Sequence, residues 1–169
     1  MKKAISVILC LLLLIPVIPA FASEESKAEK EEFDDGSYII VFSIEEESSP
    51  AGFFARIMEF FRKLVEFFTG NKTVSGTKYA EYYSSDGALL WRARLTAEFL
   101  CSKNEALCTD ALLSVDIFDN DWSLTYSSSE KNKNTAKADV TMQQYKLGVP
   151  LKTITKGITI QCTADGNLK

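Results

Sequence analysis

DIFDND, Asp116 to Asp121, gathers three aspartates and an asparagine, oxygen donors of the kind a calcium ion takes. The stretch lacks the glycine and the distal glutamate of a helix-loop-helix calcium loop. Asx residues are also what a β-turn selects for its own hydrogen bonds. The turn reading is preferred, and no metal is expected. Glu98 and Asp116 could serve as the two carboxylates of a glycosidase, which needs them at a set separation. Nothing in the sequence places them together, and acids on the outward face of a strand are usually only solvated. Trp91, Tyr82, Tyr83, Trp122 and Tyr126 could form a sugar-stacking platform, but Trp91 and Trp122 fall on apolar strand faces and read as core. The chain has no histidine. That removes the commonest general base and metal ligand together, and with them the serine triad and any imidazole zinc site. No catalytic residue, cofactor or metal is expected, and the chain reads as a non-enzyme.

Cysteine is the remaining reactive type. Beyond Cys10, which lies in an N-terminal apolar run, the chain carries Cys101, Cys108 and Cys162. An oxidising compartment favours one disulfide and one leftover thiol, and the residues alone leave all three pairings open.

That compartment is read from the N-terminus. Lys2 and Lys3 precede the apolar run Ala4 to Ile18, Pro16 and Pro19 break it, and Ala20-Phe21-Ala22 supplies a cleavage site. This is the pattern of a secretory signal peptide, with an apolar core short for a membrane span. Cleavage after Ala22 would remove two lysines and no acid, leaving 147 residues with 17 basic and 23 acidic side chains, a net charge of −6. The product is expected outside the cell or at its surface. The charge balance argues against nucleic acid. SEESKAEKEEFDD, Ser23 to Asp35, is too charged and too poor in apolar residues to bury surface, so 23–35 reads as a solvated, disordered leader to one domain spanning 36–169.

The elements that must position these residues are strands. YIIVFSI, Tyr38 to Ile44, is dense in β-branched and aromatic residues. In ALLWRARLTAEFLC the odd positions Leu89 through Cys101 are apolar and most even ones polar, a long strand with one buried face. Ser85-Asp86-Gly87 makes the hairpin turn before it. Alternation recurs at Ala111–Ile117, Trp122–Tyr126 and Ala136–Met142, and the last strand runs through Ile154, Ile158, Ile160 and Cys162. The turns fall at Asp119-Asn120-Asp121 and Gly148-Val149-Pro150, with SSSEKNKN as a polar tip. The fold class is mainly β: an antiparallel, immunoglobulin-like β-sandwich of about seven strands with one inserted amphipathic helix.

The succession YY…SDGALLWRARL, DNDW, NTAKADV and ITIQCTADGNL resembles a group of small secreted β-sandwich proteins of Gram-positive gut bacteria, over about residues 77–168. That group carries no assigned function. The resemblance implies a Cys108–Cys162 disulfide with Cys101 as the free thiol; in keeping with this, the alternation turns Cys101 toward its strand's apolar face.

The inserted helix is AGFFARIMEFFRKLVEFFTG, at about residues 50–69. On a helical wheel Phe53, Phe54, Ile57, Met58, Phe60, Phe61, Leu64, Val65, Phe67 and Phe68 share one half of the cylinder. Arg56, Glu59, Arg62, Lys63 and Glu66 occupy the other. Ser49-Pro50 starts the helix and Gly70 stops it. Burying ten such side chains is worth on the order of 15–30 kcal/mol, more than a typical domain's net stability of about 5–15 kcal/mol. The face must be covered by its own sheets, by another chain or by lipid. The expected function is contact with a protein partner or a second copy, the helix being the contact element; weak membrane-surface binding and a carboxylate-only extracellular hydrolase are the alternatives.

Overall fold

The computed structural model describes residues 28–44 and 71–169. The expected signal peptide (1–22), the first part of the leader and the helix at about 50–69 lie outside them. The described residues form eight strands and no helix: β1 Glu29–Glu32, β2 Tyr38–Ile44, β3 Lys72–Tyr83, β4 Leu89–Cys101, β5 Ala106–Ile117, β6 Trp122–Asn132, β7 Thr135–Lys146 and β8 Val149–Gln161. They make two antiparallel sheets, β1-β2-β3-β4-β5 and β6-β7-β8, consistent with a β-sandwich.

Within each sheet the strands pair in sequence order, so each sheet is a meander. This corrects the immunoglobulin-like expectation, whose Greek-key connectivity would place non-consecutive strands side by side. The thirteen-residue alternation of β4 is present as read, with every odd position from Trp91 to Cys101 buried. Gly87 supplies the left-handed backbone of the β3–β4 hairpin (φ 87°), closed by the Ser84 N–H donating to the Ala88 carbonyl at 2.9 Å. At the β7–β8 turn Leu147 (φ 52°) and Gly148 (φ 78°) are both left-handed, as a tight two-residue hairpin demands.

The core lies between the sheets. Trp91, Tyr82, Phe99, Leu95 and Ile39 from sheet one meet Met142, Ile158 and Val140 from sheet two. Tyr82 stacks on Trp91 at 5.4 Å between centroids and meets Trp122 edge-on at 5.0 Å. These aromatics are therefore structural, as Trp91 and Trp122 were expected to be. The last residues close one rim: Cys162 bridges to Leu168, and Leu168 packs over Gly76, where a Cβ would collide with its Cδ1.

The acidic run departs from its expected state. Glu29–Glu32 is an edge strand paired with β2, in register from Glu29 with Val41 to Glu32 with Tyr38. Its side chains stay exposed, so the composition was read correctly and the backbone was not. Pairing with β2 holds the backbone, and two distant lysines on β8 add ion pairs to it. Lys156 Nζ lies 2.7 Å from Glu31 Oε2 and Lys152 Nζ lies 2.5 Å from Asp35 Oδ2. A charged edge strand also protects the sheet from pairing with another chain.

Candidate functional site

The outward face of sheet one, which points away from β6–β8, carries the even residues of β2 and β4 and the odd residues of β3. Register places Tyr38 opposite Tyr83 and Phe42 opposite Tyr79. Both pairs stack, at 5.1 and 5.3 Å between centroids. Between them lies Glu81, opposite Arg92 on β4. Arg92 donates from Nε (2.6 Å) and Nη2 (2.5 Å) to Glu81 Oε1, and the Tyr83 hydroxyl donates to Oε2. The Arg92 guanidinium also lies 5.8 Å from the Tyr79 ring and 5.9 Å from Phe118. Lys30 caps the Tyr38 ring at 4.3 Å.

Glu81 is only 5% exposed. Its hydrogen bond, and then burial, push the Tyr83 hydroxyl up to about 12. Both Glu81 oxygens are engaged as acceptors, Oε1 by the Arg92 guanidinium and Oε2 by the Tyr83 hydroxyl. This face offers flat aromatic area, a delocalised cation, and the exposed apolar side chains Ile44, Leu112 and Phe118 around it.

A second polar network ties the sheets at the β1–β2 turn. Lys152 Nζ donates to Asp35 Oδ2 and to Ser37 Oγ at 2.9 Å. The Tyr82 hydroxyl donates to the same Ser37 oxygen at 2.8 Å, and Ser37 Oγ donates to Asp35 Oδ1. The Lys152 and Ser37 bonds hold the Asp35 carboxyl down at about 2. Burial works against the Lys152 ammonium, but its bonds to Asp35 and Tyr82 prevail and raise it.

The sequence candidates fall as follows. DIFDND forms a turn: Asp119 Oδ1 accepts the Asp121 N–H at 2.8 Å, and the Asp119 carbonyl accepts that of Trp122. Among the described residues no three acids, cysteines or histidines gather as a metal site. Glu98 pairs in register with Asp110 and Asp116 with Arg92, so six residues of β4 separate Glu98 from Asp116, roughly 20 Å at 3.3 Å per residue. That is beyond the roughly 5–9.5 Å of a glycosidase pair. Tyr82 is core, Tyr83 lies on the outward face and Tyr126 is exposed. Phe53, Phe54, Ile57, Phe60, Phe61, Leu64, Phe67 and Phe68 lie outside the described residues.

The Cys108–Cys162 expectation is corrected. No two cysteine sulfurs among the described residues are at bonding distance, and the sulfur facing Cys162 is that of Cys101, at 3.5 Å. Cys108 Sγ instead donates to the Asp110 carbonyl at 3.2 Å. Cys101 does point to the apolar face, but that face is where Cys162 lies. The sequence reading also missed Glu81–Arg92. Alternation in β4 already turned Arg92 outward, but a register counted outward from Ser85-Asp86-Gly87 sets Glu81 against Trp91; the bulge between Tyr82 and Tyr83 shifts the pairing to Arg92.

No protein family, curated protein or solved structure matches the chain.

Proposed function

We propose that this chain is a secreted, non-enzymatic β-sandwich protein that acts through surface contacts. Its amphipathic segment at about 50–69 is the contact element, and another protein or a second copy of the chain is the partner. The observation that carries the reading is the outward face of sheet one: two stacked aromatic pairs around a locked Arg92–Glu81 pair, rimmed by exposed apolar side chains. Aromatic residues and arginine are what protein interfaces select.

Connectivity adds to this. Residues 45–71 leave sheet one after Ile44 and return at Lys72, and Ile44 pairs with Thr77. The segment is thus tethered at the Phe42–Tyr79 end of the aromatic face. Its apolar half has two candidate covers, that face and the surface of a partner, and exchange between them would couple docking to binding.

The test replaces both Phe60 and Leu64 by aspartate and, separately, deletes residues 51–69. Thermal unfolding and molar mass in solution are then measured for each. The expected result is a retained cooperative transition with loss of self-association or partner binding. Variants that aggregate without a cooperative transition would make the segment core and overturn the proposal. Flotation of the parent with anionic liposomes, abolished by the aspartates, would replace it with the membrane-active reading. Glycan hydrolysis lost on Glu98→Gln would replace it with the hydrolase.

A further inference from the structure

Cys101 ends β4 in the larger sheet, and Cys162 follows β8 in the smaller one. Their side chains meet between the sheets, 3% and 0% exposed, with the sulfurs 3.5 Å apart. Each is fixed by its backbone. Cys101 is paired on both sides, with Lys72 of β3 and Ala106 of β5. The Cys162 N–H donates to the Asn134 carbonyl at 2.9 Å, and its own carbonyl accepts from Asn134 Nδ2 at 2.9 Å. Two sulfurs so held need to approach by only about 1.5 Å to reach the bond length of about 2.05 Å, a distance that side-chain rotation can supply.

We propose that Cys101 and Cys162 close an inter-sheet disulfide when the chain folds in the presence of a disulfide oxidant, leaving Cys108 as the single thiol of the two sheets. The step is an exchange. One protein thiolate attacks the oxidant's disulfide, forms a mixed disulfide and expels a thiolate. The second protein thiolate then attacks the protein-side sulfur and expels the other half. Two electrons pass from the protein sulfurs to the oxidant, which leaves as two thiols carrying the protons.

Burial determines when this happens. It is the main cause that pushes the Cys162 thiol up to about 12, with Cys101 adding to it. Almost none of Cys162 is therefore thiolate in the closed sandwich, and a buried, protonated thiol is inert. The bond forms while the sheets are still coming together, and once formed it is shielded from external thiols. Cys108 is excluded by its placement: it lies opposite Phe99 on β5, with its sulfur turned to the Asp110 carbonyl.

The chain is unfolded in denaturant, refolded in a mixture of reduced and oxidised glutathione, and alkylated under denaturing conditions. Peptide mapping without reductant should give a linked Cys101–Cys162 peptide, with Cys108 alkylated. The melting temperature of the refolded protein should fall by roughly 10 °C or more on reduction, the loss expected for a loop of about sixty residues. Cys108→Ser should keep both the linked peptide and the redox-dependent melting. Cys101→Ser should abolish both. A Cys101–Cys108 or Cys108–Cys162 peptide, or all three thiols alkylated after oxidative refolding, would overturn the assignment. The parent's peptide map decides the matter even where a variant fails to fold.

Discussion

Replacing Glu81 by alanine is the sharpest probe of the aromatic face. The carboxylate sits on an outward-pointing strand position, yet its side chain is only 7% exposed, against 35% for Arg92. A fully exposed ion pair contributes about 0–1 kcal/mol, and breaking a fully buried one costs about 3–5 kcal/mol. Arg92 keeps part of its water, so Glu81→Ala should cost about 2–3 kcal/mol, including the Tyr83 hydroxyl's lost acceptor at about 1 kcal/mol. Tyr83 supplies a second readout. Its folded value is raised from 10.0 to about 12, so its contribution is fully present below pH 10 and is lost as pH rises through 12. Chemical denaturation gives the first quantity, and tyrosinate absorbance, read as the difference from Tyr83→Phe, gives the second. In Glu81→Ala the Tyr83 midpoint should fall toward 10 and the alkaline loss of stability should disappear. Glu81→Gln, which keeps the shape without the charge, should lower the midpoint at a smaller cost in stability. A variant as stable as the parent, with an unmoved tyrosinate midpoint, would refute the locked-acceptor account.

Two further outcomes follow from the inter-sheet contacts. Asp35, held near 2 by Lys152 and Ser37, contributes stability that is present above its ordinary value of 3.8 and is lost as pH falls toward 2. Because its side chain is 56% exposed, screening limits the contribution to under about 1 kcal/mol, and the parent and Asp35→Asn stability curves should converge below pH 2. Gly76→Ala places a methyl group against Leu168, which should displace the chain end at a cost of about 1–3 kcal/mol. Combining it with Leu168→Ala should be less than additive in denaturant melts, since removing the Leu168 side chain makes room for the new methyl group.

Legibility followed the range of the signal. The alternation of β4 and its preceding turn are local, and both were readable to the residue. The face assignments of Trp91, Trp122 and Cys101 were readable for the same reason, because period two fixes orientation without knowledge of the partner. What failed was everything decided by a distant segment. Glu29–Glu32 is held by β2 and by Lys156, and no window around the acidic run contains that lysine. The cysteine partner depends on which β4 residue the end of β8 meets, a question of how two sheets are stacked. Strand order failed differently: a repeating β grammar fits both a meander and a Greek key, and hairpin-length turns carry no label that separates them. The aromatic face was half legible: alternation turns Arg92 outward, but the bulge between Tyr82 and Tyr83, which no turn signal announces, is what sets Glu81 against Arg92.

The meander also has a kinetic consequence. Most neighbouring strands are joined by short connections, so β3-β4-β5 and β6-β7-β8 can each zip from local hairpins. The exception is β2–β3, whose connection spans residues 45–71. Closing a loop of that length costs about 1.5–2 kcal/mol more than closing a four-residue turn. β1 and β2 are thus the last strands that chain entropy lets dock and the first it releases. The edge that carries Tyr38 and Phe42 is therefore expected to complete the aromatic face only after β3, β4 and β5 have paired, with burial of Ile39 and Val41 holding it there.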